Sequence, residues 1–195
     1  MKKLLKRIGI CLVLAASVWC GSLLADRQRL NDELIRFHVV ANSDSEEDQS
    51  IKLQVRDAVL ASLESDLNKI ADVNEARAYL QAKLPQIQAV ANSVLEATGC
   101  DCEAVVTLCK EAFDTRYYDT FTLPAGIYEA LRITIGEGEG HNWWCVLYPN
   151  LCFLDTTNAV VPDKGKKQLK QVLTEEEYSK VTANTKFKIG WYFWK

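Results

Sequence analysis

The sequence predicts an α+β domain in which an antiparallel or mixed sheet with a central glycine-turn hairpin packs against two long amphipathic helices. Three observations carry this. Ile127, Leu131, Ile133 and Ile135 alternate with Tyr128, Arg132 and Thr134, the period of a half-buried strand. Gly136-Glu137-Gly138-Glu139-Gly140 follows, where three glycines permit a tight reversal, and Asn142 to Tyr148 returns with apolar residues on both faces. A strand buried on both sides is expected at the centre of its sheet. Finally, two long stretches upstream carry helical spacing instead.

In chain order, Ile35 to Ala41 has strand character and is broken by Asn42-Ser43-Asp44-Ser45. Ser45 is an N-cap residue, and Glu46, Glu47 and Asp48 fill a first turn where the helix dipole favours acids. Ile51, Val55, Val59, Leu63 and Leu67 recur every fourth residue, so the helix is predicted from Glu46 to Leu67. A second helix starts near Asn74 and continues through Leu80, Leu84, Ile87, Ala91, Val94 and Leu95 to a Gly99 stop. Pro85 interrupts this pattern without resetting it, so either a kinked helix or two abutted helices fit.

Cys102 to Lys110 returns to strand character, and Phe113 to Phe121 fits another strand or an ordered loop. Beyond the hairpin, Pro162-Asp163-Lys164-Gly165 marks a turn. Thr174 and Glu177 form a capping box, with Leu173 and Tyr178 as its hydrophobic staple. Phe187, Ile189, Trp191 and Phe193 alternate with Lys188, Gly190 and Tyr192, which predicts a C-terminal strand.

The first seven residues, MKKLLKR, hold four basic groups, and Ile8 to Ala25 carries no charge. That is the pattern of a signal peptide or an uncleaved signal anchor over residues 1–25, followed by one exported α+β domain over 26–195. Trp19 before Cys20 is too bulky for a lipoprotein site. Beyond the leader, 19 basic residues face 26 acidic ones, a net charge of about −7, so nucleic acid is not an expected partner. Five of the seven cysteines lie there: Cys100, Cys102, Cys109, Cys145 and Cys152. Cys145 and Cys152 are the candidate disulfide, since Pro149 can turn the chain between them. The competing reading makes all five small buried hydrophobes.

Reactive chemistry is sparse. Cys145 with a histidine base is one conceivable nucleophilic pair, but no nucleophile-turn signature accompanies it, and His38 reads as a hydrogen-bonded core histidine. Asn42, Asp44, Glu46 and Asp48 offer oxygen at alternate positions without the glycine or closing glutamate of a calcium loop. The Gly136–Gly140 run is not a dinucleotide fingerprint, because no helix follows it. No catalytic residue, metal or cofactor is expected. Trp143 and Trp144, adjacent on a strand, must point to opposite faces and so cannot form one stacking platform.

Two segments, FHVVANSDSEEDQSIKLQVRDAVL from Phe37 to Leu60 and LPAGIYEALRITIGEGEGHNWWCVLYPNLC from Leu123 to Cys152, resemble the two signatures of the stage II sporulation protein R family. The resemblance implies a signal of endospore formation, made in the forespore and exported to the space between the two membranes. There it would activate a membrane-embedded aspartic protease of the mother cell, which removes the pro-sequence of sigma-E. It would act as a ligand with no catalysis of its own. Among the motif positions, His38, Asn42, Asp44, Asn142, Trp143 and Trp144 are the expected contact surface, with Gly126 and Arg132 structural. Two alternatives remain: an exported cell-wall hydrolase using Glu137 and Glu139, or a non-signalling structural protein of the septal space.

Overall fold

A computed structural model describes residues 2–117, 122–152, 169–170 and 173–182. Helix α1 spans Lys2–Asp32 and carries the uncharged run of residues 8–25. Its side chains from Gly9 to Trp19 are exposed. Among the described residues no helix is long and apolar enough to cross a membrane. Strand β1 (Ile35–Val40) follows, then α2 (Glu46–Leu67) and α3 (Val73–Ala97), strands β2 (Ala104–Phe113), β3 (Arg116–Tyr117), β4 (Thr122–Leu123), β5 (Gly126–Ile135) and β6 (Asn142–Tyr148), and helix α4 (Glu175–Thr182).

The helix boundaries follow from capping. Ser45 accepts a hydrogen bond from the Asp48 amide, and α2 runs between the limits its periodicity predicts. Ile51, Val55, Val59, Leu63 and Leu67 are all buried along it. Asp72 caps α3 by accepting from the Asn74 and Glu75 amides. Pro85 sits inside one continuous α3. Both Pro85 and Gln81 are exposed, so the Gln81 carbonyl that loses its intrahelical donor faces water. At α4 the Thr174 hydroxyl accepts from the Glu177 amide while the Glu177 carboxylate accepts from the Thr174 amide, and Leu173 and Tyr178 pack into the same apolar cluster. The expected turn at Pro162–Gly165 and the C-terminal strand from Phe187 to Phe193 lie outside the described residues.

The four-stranded sheet is mixed, in the order β2-β5-β1-β6, while β3 and β4 pair with each other. This corrects the hairpin. β5 and β6 are joined through the glycine turn, but β1 lies between them, parallel to β5 and antiparallel to β6. Among the described residues β6 pairs with β1, and β1, all six of whose residues are buried, lies between two strands. Period and polarity report faces, and β1 is the strand whose backbone must be matched on both edges.

To step over β1, the connection after β5 must cross two strand spacings, roughly 10 Å. It does so while bonded to the chain leaving β1: the Gly140 amide donates to the Ala41 carbonyl at 3.0 Å and the Glu139 amide to that of Asn42 at 3.1 Å. A Cβ on Gly140 would overlap the Ser43 carbonyl and the Ala41 side chain.

One sheet face packs against α2 and α3. Phe37 and Val39, Leu131, Ile133 and Ile135, Val106, and Cys145 and Leu147 meet the buried stripes of both helices there. The opposite face carries a second cluster around Tyr128, Val146, Leu123, Leu169, Leu173 and Val181. Gly140→Ala is expected to lower stability by about 1–3 kcal/mol. Urea unfolding of the full chain followed by circular dichroism measures this, and an unchanged midpoint would mean that the close approach over β1 is not required.

Candidate partner-binding surface

The two segments that carry the family resemblance are brought together at one end of the sheet. The register pairs Val40 with Asn142, Val39 with Trp143 and His38 with Trp144. Just beyond, the polar residues after β1 bond to the glycine turn. Asn42 Oδ1 accepts from the Glu137 amide at 3.0 Å, and Gly136, at φ 54°, has no room for a Cβ beside that carboxamide. Asp44 Oδ1 accepts from both the backbone amide and Nδ1 of His141. Asp48 Oδ2 accepts from Ser43 Oγ at 2.5 Å and Asn42 Nδ2 at 3.0 Å. Lys52, 5% exposed, donates to the His141 carbonyl at 2.9 Å and to Gln49 Oε1 at 2.5 Å.

These bonds shift the carboxyls. The Ser43 and Asn42 donors hold Asp48 below the usual aspartate range, and the His141 donors do the same for Asp44. Burial pushes the Lys52 ammonium down, and its neighbour Arg56 adds to the effect. Asn42, Asp44 and Asp48 therefore act as a clasp for the glycine turn, with Asn42 Oδ1, Asp44 Oδ1 and Asp48 Oδ2 accepting from donors of the same chain. Glu137 and Glu139 are both exposed on this turn.

A different assembly lies on the sheet face away from α2 and α3. Strand alternation places His38, Arg132, Glu111 and Trp144 on it. His38, 6% exposed, shares its Nδ1 with Glu111 Oε1 at 2.7 Å, while Arg132 Nη1 donates to Glu111 Oε2 at 3.4 Å. Burial raises the Glu111 pKa, but the His38 hydrogen bond and the charges of His38 and Arg132 outweigh it, so the carboxyl sits below its ordinary value. The His38 ring stacks on Trp144 with centroids 5.7 Å apart and 25° between planes. The Arg116 guanidinium lies 3.8 Å from the Trp144 centroid. One position along β1, Arg36 is fully buried, donating to the Cys145 carbonyl at 3.2 Å with its guanidinium 4.5 Å from the Phe113 ring centroid.

Trp143 points the other way, as strand geometry requires. It meets Phe37 edge to face at 5.8 Å and lies under the Arg56 guanidinium at 4.9 Å. Both indoles are half-buried. Of the expected contact residues, Asn42 and Asp44 serve the clasp, Asn142 sits on its rung, Trp143 belongs to the helix side, and His38 and Trp144 share the opposite face. Glu111, Arg116 and Arg36 belong to this surface and were not read from the sequence. The available signal was a charge at an inward strand position, which demands a partner without saying where in the chain it lies. The sulfurs of Cys145 and Cys152 are bonded, with Cα atoms 5.5 Å apart, and Cys100 is bonded to Cys102.

Because Glu111 titrates below its unfolded value, it contributes stability that is present above that value and lost as pH falls through the folded one. Wild-type chain is expected to lose stability from about pH 4.5 downward, and Glu111→Gln to lose less over the same interval. Urea midpoints at pH 6 and pH 3 measure the difference. Equal losses in the two proteins would show that the His38–Glu111–Arg132 cluster does not favour the ionised carboxylate.

A family model described as stage II sporulation protein R matches residues 31–158, which contain β1 to β6, the clasp and the His38–Trp144 face. The stage II sporulation protein R of Bacillus subtilis (strain 168) is 41% identical over 153 residues, covering 78% of this chain and 68% of that protein. No solved structure matches. The matched span includes both halves of the clasp and every strand that holds them, and on this ground the chain belongs to the stage II sporulation protein R family.

Proposed function

We propose that the domain is an exported intercellular signal of endospore formation that activates a membrane-embedded aspartic protease in the mother cell, leading to removal of the pro-sequence of sigma-E. Family membership supports the sporulation setting. The observation that carries the mode of action is the half-exposed Trp144, held between His38 and Arg116 on a sheet that also fixes the two signature segments. A rigid aromatic beside arginine is the side-chain chemistry of binding anchors at protein interfaces. The basic leader and the uncharged run of residues 8–25 support export, as a cleaved signal or as a retained anchor.

On this reading the domain performs no turnover. It binds the active state of its receptor more tightly than the resting state, and the difference in affinity is all that it contributes to activation. Trp144 and His38 are the contact residues, while Asn42, Asp44 and Asn142 act by holding the signature end of the sheet in shape.

Co-expression of the full chain with the receptor protease and pro-sigma-E, scored by cleavage, tests this. Wild-type chain is expected to trigger cleavage, and Trp144→Ala to reduce it about tenfold or more at equal protein level. Cleavage that is independent of the chain would overturn the proposal. So would release of soluble cell-wall fragments by the purified chain, abolished by Glu139→Gln.

A further inference from the structure

The two disulfides among the described residues sit in different surroundings. Cys145 and Cys152 are 8% and 3% exposed and belong to the main apolar cluster. Cys100 and Cys102 are only half-buried against the same cluster, and their chain neighbours Gly99, Asp101 and Glu103 are exposed. A single residue, Asp101, separates the bonded pair. A ring that small removes little freedom from the unfolded chain, so its closure adds little to stability.

The backbone on both sides of the pair is held without the sulfurs. At the end of α3 the chain turns through Gly99, at φ 75°, and the Cys100 amide donates to the Leu95 carbonyl at 3.0 Å. On the other side the Glu103 carbonyl accepts from the Gly136 amide at 2.9 Å, and Asn92 Oδ1 accepts from the Ala104 amide at 2.8 Å. Neither the end of α3 nor the start of β2 therefore depends on the bond between Cys100 and Cys102. The same contacts keep the two cysteines side by side once that bond is open, so the pair is placed to close again. Cys109, which is free, lies roughly 16 Å along β2 beyond Ala104. An adduct on one member of the pair is thus resolved by the other member.

We infer that Cys100–Cys102 is a thiol–disulfide exchange site for an external dithiol, whereas Cys145–Cys152 is a structural bond. A thiolate of the dithiol attacks one sulfur of the pair. A mixed disulfide forms as the Cys100–Cys102 bond breaks, and the departing sulfur takes up a proton. The second thiol of the dithiol then loses its proton and attacks its own mixed-disulfide sulfur, which releases the remaining cysteine as a thiol. The dithiol leaves as a disulfide, oxidised by two electrons, and the pair is left as two thiols. The site needs only the fold and the sulfur pair, whatever partner the domain meets.

The test incubates the folded full chain with a concentration series of dithiothreitol, blocks free thiols with iodoacetamide and locates the blocks by peptide mass spectrometry. Cys100 and Cys102 are expected to be blocked together, at a dithiothreitol concentration about tenfold or more below that which opens Cys145–Cys152. The far-ultraviolet circular dichroism is expected to stay unchanged at that concentration. After the reductant is removed, oxidised glutathione is expected to restore the Cys100–Cys102 bond and to leave no glutathione on either residue. In the Cys102→Ser chain, by contrast, glutathione is expected to stay on Cys100, because the resolving thiol is gone. Opening of both disulfides at the same concentration would overturn the inference, and so would loss of the circular dichroism signal when Cys100–Cys102 opens. A glutathione adduct that persists in the wild-type chain would overturn it as well. These readings on the wild-type chain decide the matter even if Cys102→Ser does not fold.

Discussion

The structure depends on the burial of β1. Ile35 to Val40 lies between two strands, with no residue exposed beyond 6%. A strand in that position must match its backbone groups on both edges and its side chains on both faces. Ile35, Phe37 and Val39 meet this requirement by packing beneath α2 and α3. Arg36 and His38 face the other way, and burying them is tolerable only because partners reach them from other strands: the Cys145 carbonyl for Arg36 and Glu111 for His38.

The clasp follows from the same insertion. Since β1 separates β5 from β6, the chain between those strands has to pass over the end of β1, where it meets the segment leaving that strand. Small residues at 136 and 140 let the two backbones approach, Asn42 and Asp44 accept from the Glu137 and His141 amides, and Asp48 accepts from the Asn42 side chain. Lys52 and Arg56 extend the contact from α2 to the His141 carbonyl and the Trp143 ring. The acidic run that caps α2 thus also fastens the glycine turn, which explains why so many polar residues occupy so short a stretch.

The sheet therefore has two faces of different character. One is an apolar interface with two helices. The other combines apolar cover with a charged and aromatic group centred on His38, Glu111, Arg132 and Trp144. Adjacent tryptophans divide between them, Trp143 stabilising the helix side and Trp144 standing next to the polar group. Half-burial of both rings means that each has one surface fixed by the fold, so an exposed edge is presented in a defined orientation.

Local order was legible in the residues themselves. The Ser45 cap and the four-residue recurrence from Ile51 to Leu67 define α2, the Thr174–Glu177 box starts α4, and alternation marks β1 and β5, because these signals arise between neighbours on one helix turn or one strand. The continuity of α3 through Pro85 needed the structure, since it turns on which carbonyl faces water. Strand order needed it as well. A period of two assigns each side chain to a face and is silent about which strand lies alongside, so the glycine turn looked like a hairpin until β1 was found between its arms. For the same reason His38 was recognisable as a buried histidine, yet its pairing with Glu111, 73 residues away, was not. What a sequence determines alone is set within a few residues of chain; what only the tertiary structure decided here are the long-range pairings, because they result from competition for burial among all the strands at once.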